Sequence, residues 1–368
     1  MGLGVQSDGL AATPPMGWNS WNRFGPFISE ALVLEIADAM VESGMRDAGY
    51  RYVVIDDAWE ESARDDEGDL VENRWAFPHG IRWLADAVHS RRLKFGLYTC
   101  AGTRTCQGYP GSRGFEARDA KRFAEWGVDF MKVDWCYTEG LRGPETYRTW
   151  CEAVRESGRP MVLSICEWGR HEPWTWAGTA GHLWRTSSDI ADTWASLMAT
   201  LDKQADLAEF AGPDHWNDPD MLEIGNGGMT DEEYRTHMSL WAMLAAPLMA
   251  GNDLRAMSDA TREILTAPEV IAVDQDARGA QGRRVRRAGD TEVWSRPLAD
   301  ASYAVALLNR GDAPANVVAR WDDVVGEKGS RVGHVRDLWG RVDVGDRSGY
   351  HDQTIEPHAV ALLKVTFR

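Results

Sequence analysis

The sequence of 368 residues lacks long apolar runs, is poor in basic residues and contains few cysteines. No stretch approaches the roughly 20 apolar residues that span a bilayer, so we expect no membrane-embedded segment. Lys and Arg number 40 against 57 Asp and Glu, which gives a formal net charge of -17 and argues against a nucleic-acid partner. Five cysteines, an odd number, exclude a fully paired disulfide framework.

The first 15 residues lack both the basic region and the apolar region of a secretory signal peptide. We therefore expect a soluble, cytoplasmic protein with no membrane partner, while its oligomeric state stays open. Tryptophan, by contrast, is abundant, with 18 residues. Because flat indole rings stack well on the apolar faces of sugars, the composition favours a neutral, polar small-molecule ligand.

Short apolar runs separated by stretches of helical period predict a parallel sheet between residues 14 and 251. Eight such strands favour a closed (β/α)₈ TIM barrel. A capping box at Thr230 and Glu233 predicts the start of the helix that ends before Pro247. The eight runs occupy residues 16–21, 52–57, 93–98, 129–134, 161–167, 182–189, 215–221 and 247–251.

Beyond residue 277 the pattern changes to short β-rich runs separated by Gly, Asp and Pro. These runs, at 292–294, 303–308, 317–321 and 359–365, predict a small antiparallel β-sandwich. We therefore expect two domains, a catalytic barrel over residues 1–277 and a C-terminal sandwich over residues 278–368. The Gly-rich and charged stretch 274–282 is the predicted junction.

Charged side chains end five of the predicted barrel strands. The carboxyl ends of barrel strands share one face, so these side chains are predicted to converge there. So many acids at one mouth would be costly unless they bind a polar ligand. They are Asp56 and Asp57 on strand 2, Lys132 and Asp134 on strand 4, Glu167 on strand 5, Arg185 and Asp189 on strand 6, and Asp218 and Asp220 on strand 7.

Two kinds of chemistry use such a group of acids. Glycoside cleavage needs one carboxylate and one carboxylic acid on either side of a glycosidic bond. A metal-dependent lyase of enolase type also places acids on successive strands, with a lysine such as Lys132 as base. The tryptophans and the fixed charge of Arg185, which would repel a metal ion, favour glycoside cleavage. A non-catalytic sugar-binding protein is the third reading that these residues leave open.

The motifs around these acids occur in an order that resembles glycoside hydrolase family 27, the α-galactosidases, and its plant-type members in particular. This resemblance implies a retaining exo-glycosidase that hydrolyses terminal α-D-galactosides in small galactosides or oligosaccharides, without a cofactor or metal. A β-L-arabinopyranosidase of the same family is the nearest alternative. The motifs are TPPMGWNSW (13–21), IDD (55–57), WGVD (126–129), KVD (132–134), CEWG (166–169), WRT (184–186), DIAD (189–192) and WNDPDML (216–222).

The resemblance also implies a role for each matching residue. Asp134 would be the nucleophile and Asp189 the general acid/base. We expect Lys132 to keep Asp134 ionised, and neighbouring acids and partial burial to raise the pKa of Asp189 towards roughly 6. The implied substrate-binding residues are Trp21, Asp56, Asp57, Tyr98, Lys132, Cys166, Glu167, Trp168, Arg185 and Asp220.

Further implications of the resemblance concern the cysteines and the sugar. A disulfide is implied between Cys106 and Cys136. The bulk of Glu167 implies a preference for galactose over N-acetylgalactosamine. The sequence departs from the family pattern at Cys100, where an aspartate is usual, and at Trp135, where a small or polar residue usually follows the nucleophile.

Overall fold

The computed structural model describes residues 8–368, and its first eight strands form a parallel barrel. The strand order is β7-β6-β5-β4-β3-β2-β1-β8, and a parallel bridge between Leu222 and Ala250 closes the ring. The predicted (β/α)₈ fold is confirmed. The barrel strands are β1 (Met16–Asn19), β2 (Tyr52–Ile55), β3 (Lys94–Cys100), β4 (Phe130–Asp134), β5 (Val162–Cys166), β6 (Leu183–Arg185), β7 (Trp216–Asp218) and β8 (Leu248–Ala250).

Helices connect the barrel strands, and several begin at capping residues. Ser29 accepts a hydrogen bond from Leu32 N–H at the start of α2, and the predicted capping box of Thr230 and Glu233 opens α8. The helices of the barrel are α1 (Trp21–Phe24), α2 (Glu30–Glu42), α3 (Met45–Ala48), α4 (Ile81–Ser90), α5 (Glu116–Trp126), α6 (Gly143–Glu156), α7 (Trp194–Gln204), α8 (Asp231–Leu244), α9 (Asp259–Leu265) and α10 (Pro268–Asp274).

Much of the tryptophan lies in the hydrophobic core rather than at the protein surface. The side chains of Trp18, Trp59, Trp150, Trp184, Trp216, Trp241, Trp294 and Trp321 are almost completely buried. Tryptophan content alone is therefore a weak indicator of sugar binding. No helix within residues 8–368 is long and apolar enough to cross a membrane.

The C-terminal domain is an antiparallel β-sandwich, as predicted. One sheet has the order β14-β13-β16-β11-β10-β9, and the other consists of β12 and β15. Trp321 and Val335 belong to the apolar core of this domain. Its elements are β9 (Arg283–Ala288), β10 (Thr291–Pro297), β11 (Tyr303–Asn309), β12 (Ala315–Arg320), α11 (Trp321–Val325), β13 (Val332–Asp337), β14 (Val342–Ser348), β15 (Tyr350–Ile355) and β16 (Val360–Phe367).

Candidate active site

A cavity of about 430 Å³ lies at the carboxyl ends of the barrel strands. Ten of the twelve side chains predicted to form the site line it, including both predicted catalytic residues, Asp134 and Asp189. The parallel barrel explains this convergence, since all eight strands end on the same face. The lining residues are Trp21, Asn22, Asp56, Asp57, Tyr98, Cys106, Lys132, Asp134, Trp168, Arg185, Asp189, Asp220 and Met221.

The carboxylate of Asp134 is held at the end of β4 by two hydrogen bonds. The Tyr98 hydroxyl donates to Oδ2 at 3.0 Å, and the Trp135 backbone N–H donates to Oδ1 at 2.8 Å. The Cys106 sulfur also lies 3.3 Å from Oδ2. Asp134 is therefore buried and fixed in orientation before any ligand binds.

Asp189 is far more exposed than Asp134 and is tied to the site through one guanidinium group. Arg185 Nη2 lies 2.9 Å from Asp189 Oδ1 and also 2.9 Å from Asp220 Oδ2. The Asp189 side chain keeps 65% of its surface exposed, whereas that of Arg185 is only 4% exposed. The guanidinium group of Arg185 is therefore fixed inside the protein. The Asp189 carboxylate that contacts this group is exposed to solvent.

The side chains at the end of β2 form a second acidic part of the cavity. Lys132 Nζ and Asn19 Nδ2 each donate to Asp56 Oδ2 at 2.7 Å. Asp57 Oδ2 accepts the Gln107 backbone N–H at 2.9 Å. These contacts hold two adjacent carboxylates, which can accept hydrogen bonds from ligand hydroxyl groups, beside a cation that can donate one.

The pKa values of Asp134 and Asp189 are in the reverse of the order expected for these two predicted catalytic residues. Burial raises the pKa of Asp134 to about 6, although Lys132, the Trp135 amide and Tyr98 all favour its ionised form. Burial would also raise the pKa of Asp189, but Arg185 and Lys132 outweigh it and hold the pKa below its ordinary value. The expectation of a raised pKa for Asp189 is therefore wrong for the unliganded protein.

Two predicted binding residues do not line the cavity. Glu167 is completely buried, and its carboxylate accepts the backbone N–H of His171 and contacts its ring Nδ1 at 2.5 Å. Cys166 is also buried and lies 3.7 Å from Arg185 Nη1. Trp168 reaches the cavity instead, so the argument for galactose from the bulk of Glu167 is not supported by this structure.

Asn22 and Met221 line the cavity although they were not predicted to do so. Met221 lies within the matched motif 216–222, and Asn22 directly follows the matched motif 13–21, so their positions in the chain were the available signal. Asn22 Nδ2 donates to Glu223 Oε1 at 2.6 Å, and Asn226 Nδ2 donates to Glu223 Oε2 at 2.5 Å. Burial raises the pKa of Glu223 to about 7.

The disulfide implied for Cys106 and Cys136 is present, with Cα atoms 5.2 Å apart. Together with Asp134, these two residues make up the one His, Cys, Asp or Glu cluster with metal-ligand spacing within residues 8–368. Since both sulfurs are joined in the disulfide, neither is a thiolate ligand. Cys100, Cys151 and Cys166 are free thiols.

Family profiles match both domains of the chain. The profile described as "Alpha galactosidase A" matches residues 13–276, and that described as "Alpha galactosidase C-terminal beta sandwich domain" matches residues 288–365. The chain belongs to glycoside hydrolase family 27, the α-galactosidase family. "Alpha-galactosidase 2" of Arabidopsis thaliana is 48% identical over 365 residues, covering 99% of this chain and 92% of the relative.

Solved structures of family 27 members share the same fold. α-Galactosidase I from Mortierella vinacea has a TM-score of 0.95 at 39% identity, with 98% of each chain covered. The Saccharomyces cerevisiae α-galactosidase with raffinose has a TM-score of 0.95 at 29% identity, covering 98% of this chain and 99% of its own. A β-L-arabinopyranosidase from Geobacillus stearothermophilus has a TM-score of 0.89 at 27% identity, with 97% of each chain covered. The chain is therefore a glycoside hydrolase of the α-galactosidase family rather than the enolase-type lyase.

Proposed function

We propose that this protein hydrolyses terminal α-D-galactosides with retention of configuration. In this proposal Asp134 attacks the anomeric carbon, and Asp189 protonates the leaving oxygen. The supporting observation is that one cavity is lined by both carboxylates together with Lys132 and Arg185.

The surroundings of Asp134 suit a nucleophile. Hydrogen bonds from Tyr98 and the Trp135 amide hold one carboxylate geometry, which lowers the entropy that is lost on reaching the transition state. Lys132 favours the ionised form that attack requires. The same residue donates to Asp56, so it links the nucleophile with the group proposed to bind sugar hydroxyls.

The exposure of Asp189 suits a residue whose pKa must change during the reaction. A bound galactoside would exclude water from Asp189 and from the space between Asp189 and ionised Asp134, so that the charge of Asp134 is less screened, and both effects raise the pKa of Asp189. Asp189 would then hold the proton that the leaving oxygen needs. Once Asp134 is esterified its charge is lost, so the pKa of Asp189 falls and it can accept a proton from the attacking water.

The acids at the end of β2 support galactose as the sugar. Asp56 and Asp57 present adjacent carboxylates to the cavity, and Trp21 adds an aromatic side chain. A site built to hydrogen-bond a hydroxyl discriminates strongly against an analogue that lacks it. β-L-Arabinopyranose has no hydroxymethyl group, so we expect kcat/KM for p-nitrophenyl α-D-galactopyranoside to exceed that for the β-L-arabinopyranoside by at least about tenfold.

Replacing each catalytic aspartate tests the two roles separately. We expect Asp134→Asn to lose several orders of magnitude in turnover on every galactoside. Asp189→Asn should lose about 10²- to 10⁴-fold on galactosides of other sugars, but much less on dinitrophenyl galactoside, whose leaving group needs no proton. The measurement is kcat/KM for both kinds of substrate.

Asp192→Asn provides the control, because Asp192 is bound to Tyr234 and does not line the cavity. Its activity should stay near that of the unmodified protein. Proton NMR of the first-formed product gives an independent readout. Retention requires α-galactose to appear first, so initial release of the β-anomer would refute the double displacement.

A further inference from the structure

Asn22 is a cavity residue with one side of its amide already occupied. Its Nδ2 donates to Glu223 Oε1 at 2.6 Å, so the amide nitrogen is directed at Glu223 rather than at a ligand in the cavity. Within residues 8–368, no donor reaches its Oδ1, and this oxygen is not among the buried polar atoms that lack a partner. The oxygen is therefore an accessible acceptor.

The barrel topology places Asn22 across the cavity from the nucleophile. Asn22 follows β1 and Met221 follows β7, and a Cβ added to Gly251 after β8 would come within 3.0 Å of both side chains. In the barrel order, β7, β8 and β1 form the arc opposite β4, which ends in Asp134. Since a nucleophile attacks the anomeric carbon from the face opposite the leaving group, this arc lies on the leaving-group side.

We propose that Asn22 binds the leaving group of the substrate, its Oδ1 accepting a hydrogen bond from a hydroxyl of the sugar to which galactose is attached. This inference rests on the proposed function, and it names a residue that contacts the leaving group. The contact favours substrates in which galactose is attached to another sugar over those with a leaving group such as p-nitrophenol, which offers no second hydroxyl.

Glu223 acts as a positioning residue in this proposal. An ionised carboxylate only accepts hydrogen bonds, so it fixes the amide of Asn22 with nitrogen inward and oxygen towards the cavity. Glu223 is almost completely buried and does not itself line the cavity. Removing its carboxylate should free the Asn22 amide to rotate, while a glutamine in its place can still accept through its carbonyl oxygen.

The experiment compares melibiose, in which galactose is attached to glucose, with p-nitrophenyl α-galactoside, whose leaving group has no hydroxyl. We expect Asn22→Ala to lower kcat/KM for melibiose roughly three- to tenfold more than kcat/KM for the aryl galactoside, since this is the effect of one neutral hydrogen bond. Assays are run above the pKa of about 7 that burial gives Glu223, so that its carboxylate is ionised.

Three further variants separate a positioning role of Glu223 from general damage to the site. Glu223→Ala should shift the ratio of the two substrates in the same direction as Asn22→Ala, and Glu223→Gln should restore most of it. Asn226→Ala is the matched control, since Asn226 donates to the same carboxylate at 2.5 Å but does not line the cavity. It should leave the ratio unchanged.

Inhibition by free galactose provides a second readout that does not depend on turnover of either substrate. A contact confined to the leaving group predicts an unchanged inhibition constant in Asn22→Ala. Equal losses on both substrates, an unchanged ratio, or weaker galactose inhibition would each overturn the proposal. Failure of the proposed function is distinguishable, because the unmodified protein would then cleave neither galactoside.

Discussion

At the scale of single residues, the protonation of Asp134 should set the acidic limb of activity. Burial raises its pKa to about 6, and the Tyr98 hydroxyl opposes this by donating to the ionised form. Because a nucleophile must be ionised, kcat/KM for dinitrophenyl α-galactoside, whose leaving group needs no proton from Asp189, should fall as pH drops through about 6. Tyr98→Phe removes the donor, so the limb should move to higher pH.

Tyr147→Phe is the control for this shift. Tyr147 is also buried, but its hydroxyl donates at 3.0 Å to the Val133 backbone carbonyl rather than to a carboxylate. We expect the acidic limb of the kcat/KM profile of Tyr147→Phe to stay at the same pH as in the unmodified protein. Since Tyr98 lines the cavity, its loss also weakens activity, and the readout is the position of the limb rather than its height. Equal shifts in both variants would contradict the assignment.

The convergence of the site could be predicted from the sequence, but the direction of individual side chains could not. The carboxyl ends of the strands of a parallel barrel share one face, so the sequence predicted that Asp134 and Asp189 lie on the same face. Beyond β5, Trp168 and Gly169 adopt φ values of 58° and 76°. This left-handed turn directs Trp168 into the cavity, and Glu167 is buried beneath it against His171.

The error over Asp189 has a similar physical origin. The sequence indicates which charges share the mouth of the barrel but not their distances. A separation of 2.9 Å from Arg185 is enough to outweigh burial and lower the pKa of Asp189, whereas Lys132 donates directly to Asp56 and leaves the burial of Asp134 dominant. The pKa shifts of these two aspartates therefore depend on distances between charged groups, which the sequence does not give.

At the scale of secondary structure, buried strands were predictable and exposed strands were not. All eight predicted barrel runs overlap a strand, and β10, β11 and β16 also overlap predicted runs. β9 and β14 are edge strands with mostly charged or polar residues, so they carry no apolar signal. The run at 317–321 was only partly right, because Trp321 ends the strand and begins α11.

A buried arginine, Arg296, is one of the links between the two domains. Arg296 on β10 donates to the carbonyl of Ala242 on α8 at 2.5 Å and to that of Asp274 on α10 at 3.1 Å. Burial lowers the pKa of Arg296 to about 10. Arg296→Met leaves both carbonyls without this donor, so we expect a loss of about 2–4 kcal/mol in the free energy of unfolding, measured in urea.

Arg336→Met provides the comparison for Arg296. Arg336 on β13 also joins the sandwich to α10, through a contact of 2.7 Å with Glu269, but this ion pair is solvent-exposed. Exposed pairs are screened by water and salt, so the urea midpoint should change little. Equal destabilisation by the two variants would show that the link between domains, rather than burial, determines the effect.

At the scale of the whole molecule, the folded protein holds protons that the unfolded chain would release. Burial raises the pKa of Asp134 and Asp218 to about 6, that of Glu223 to about 7 and that of Asp274 to about 8. Between the ordinary pKa of a carboxyl group and these values, the folded state binds more protons than the unfolded state. Stability must then fall as pH rises through this window.

We therefore expect the thermal midpoint to be several degrees higher near pH 5 than near pH 8, as followed by calorimetry. Asp274→Asn should reduce the slope, because it removes the carboxyl group whose pKa rises to about 8. Asp300→Asn is the control: Lys364 lowers the pKa of Asp300 to about 2, so this group is ionised in both states across the window and should not affect the slope. An unchanged slope in Asp274→Asn would contradict the raised pKa of this group.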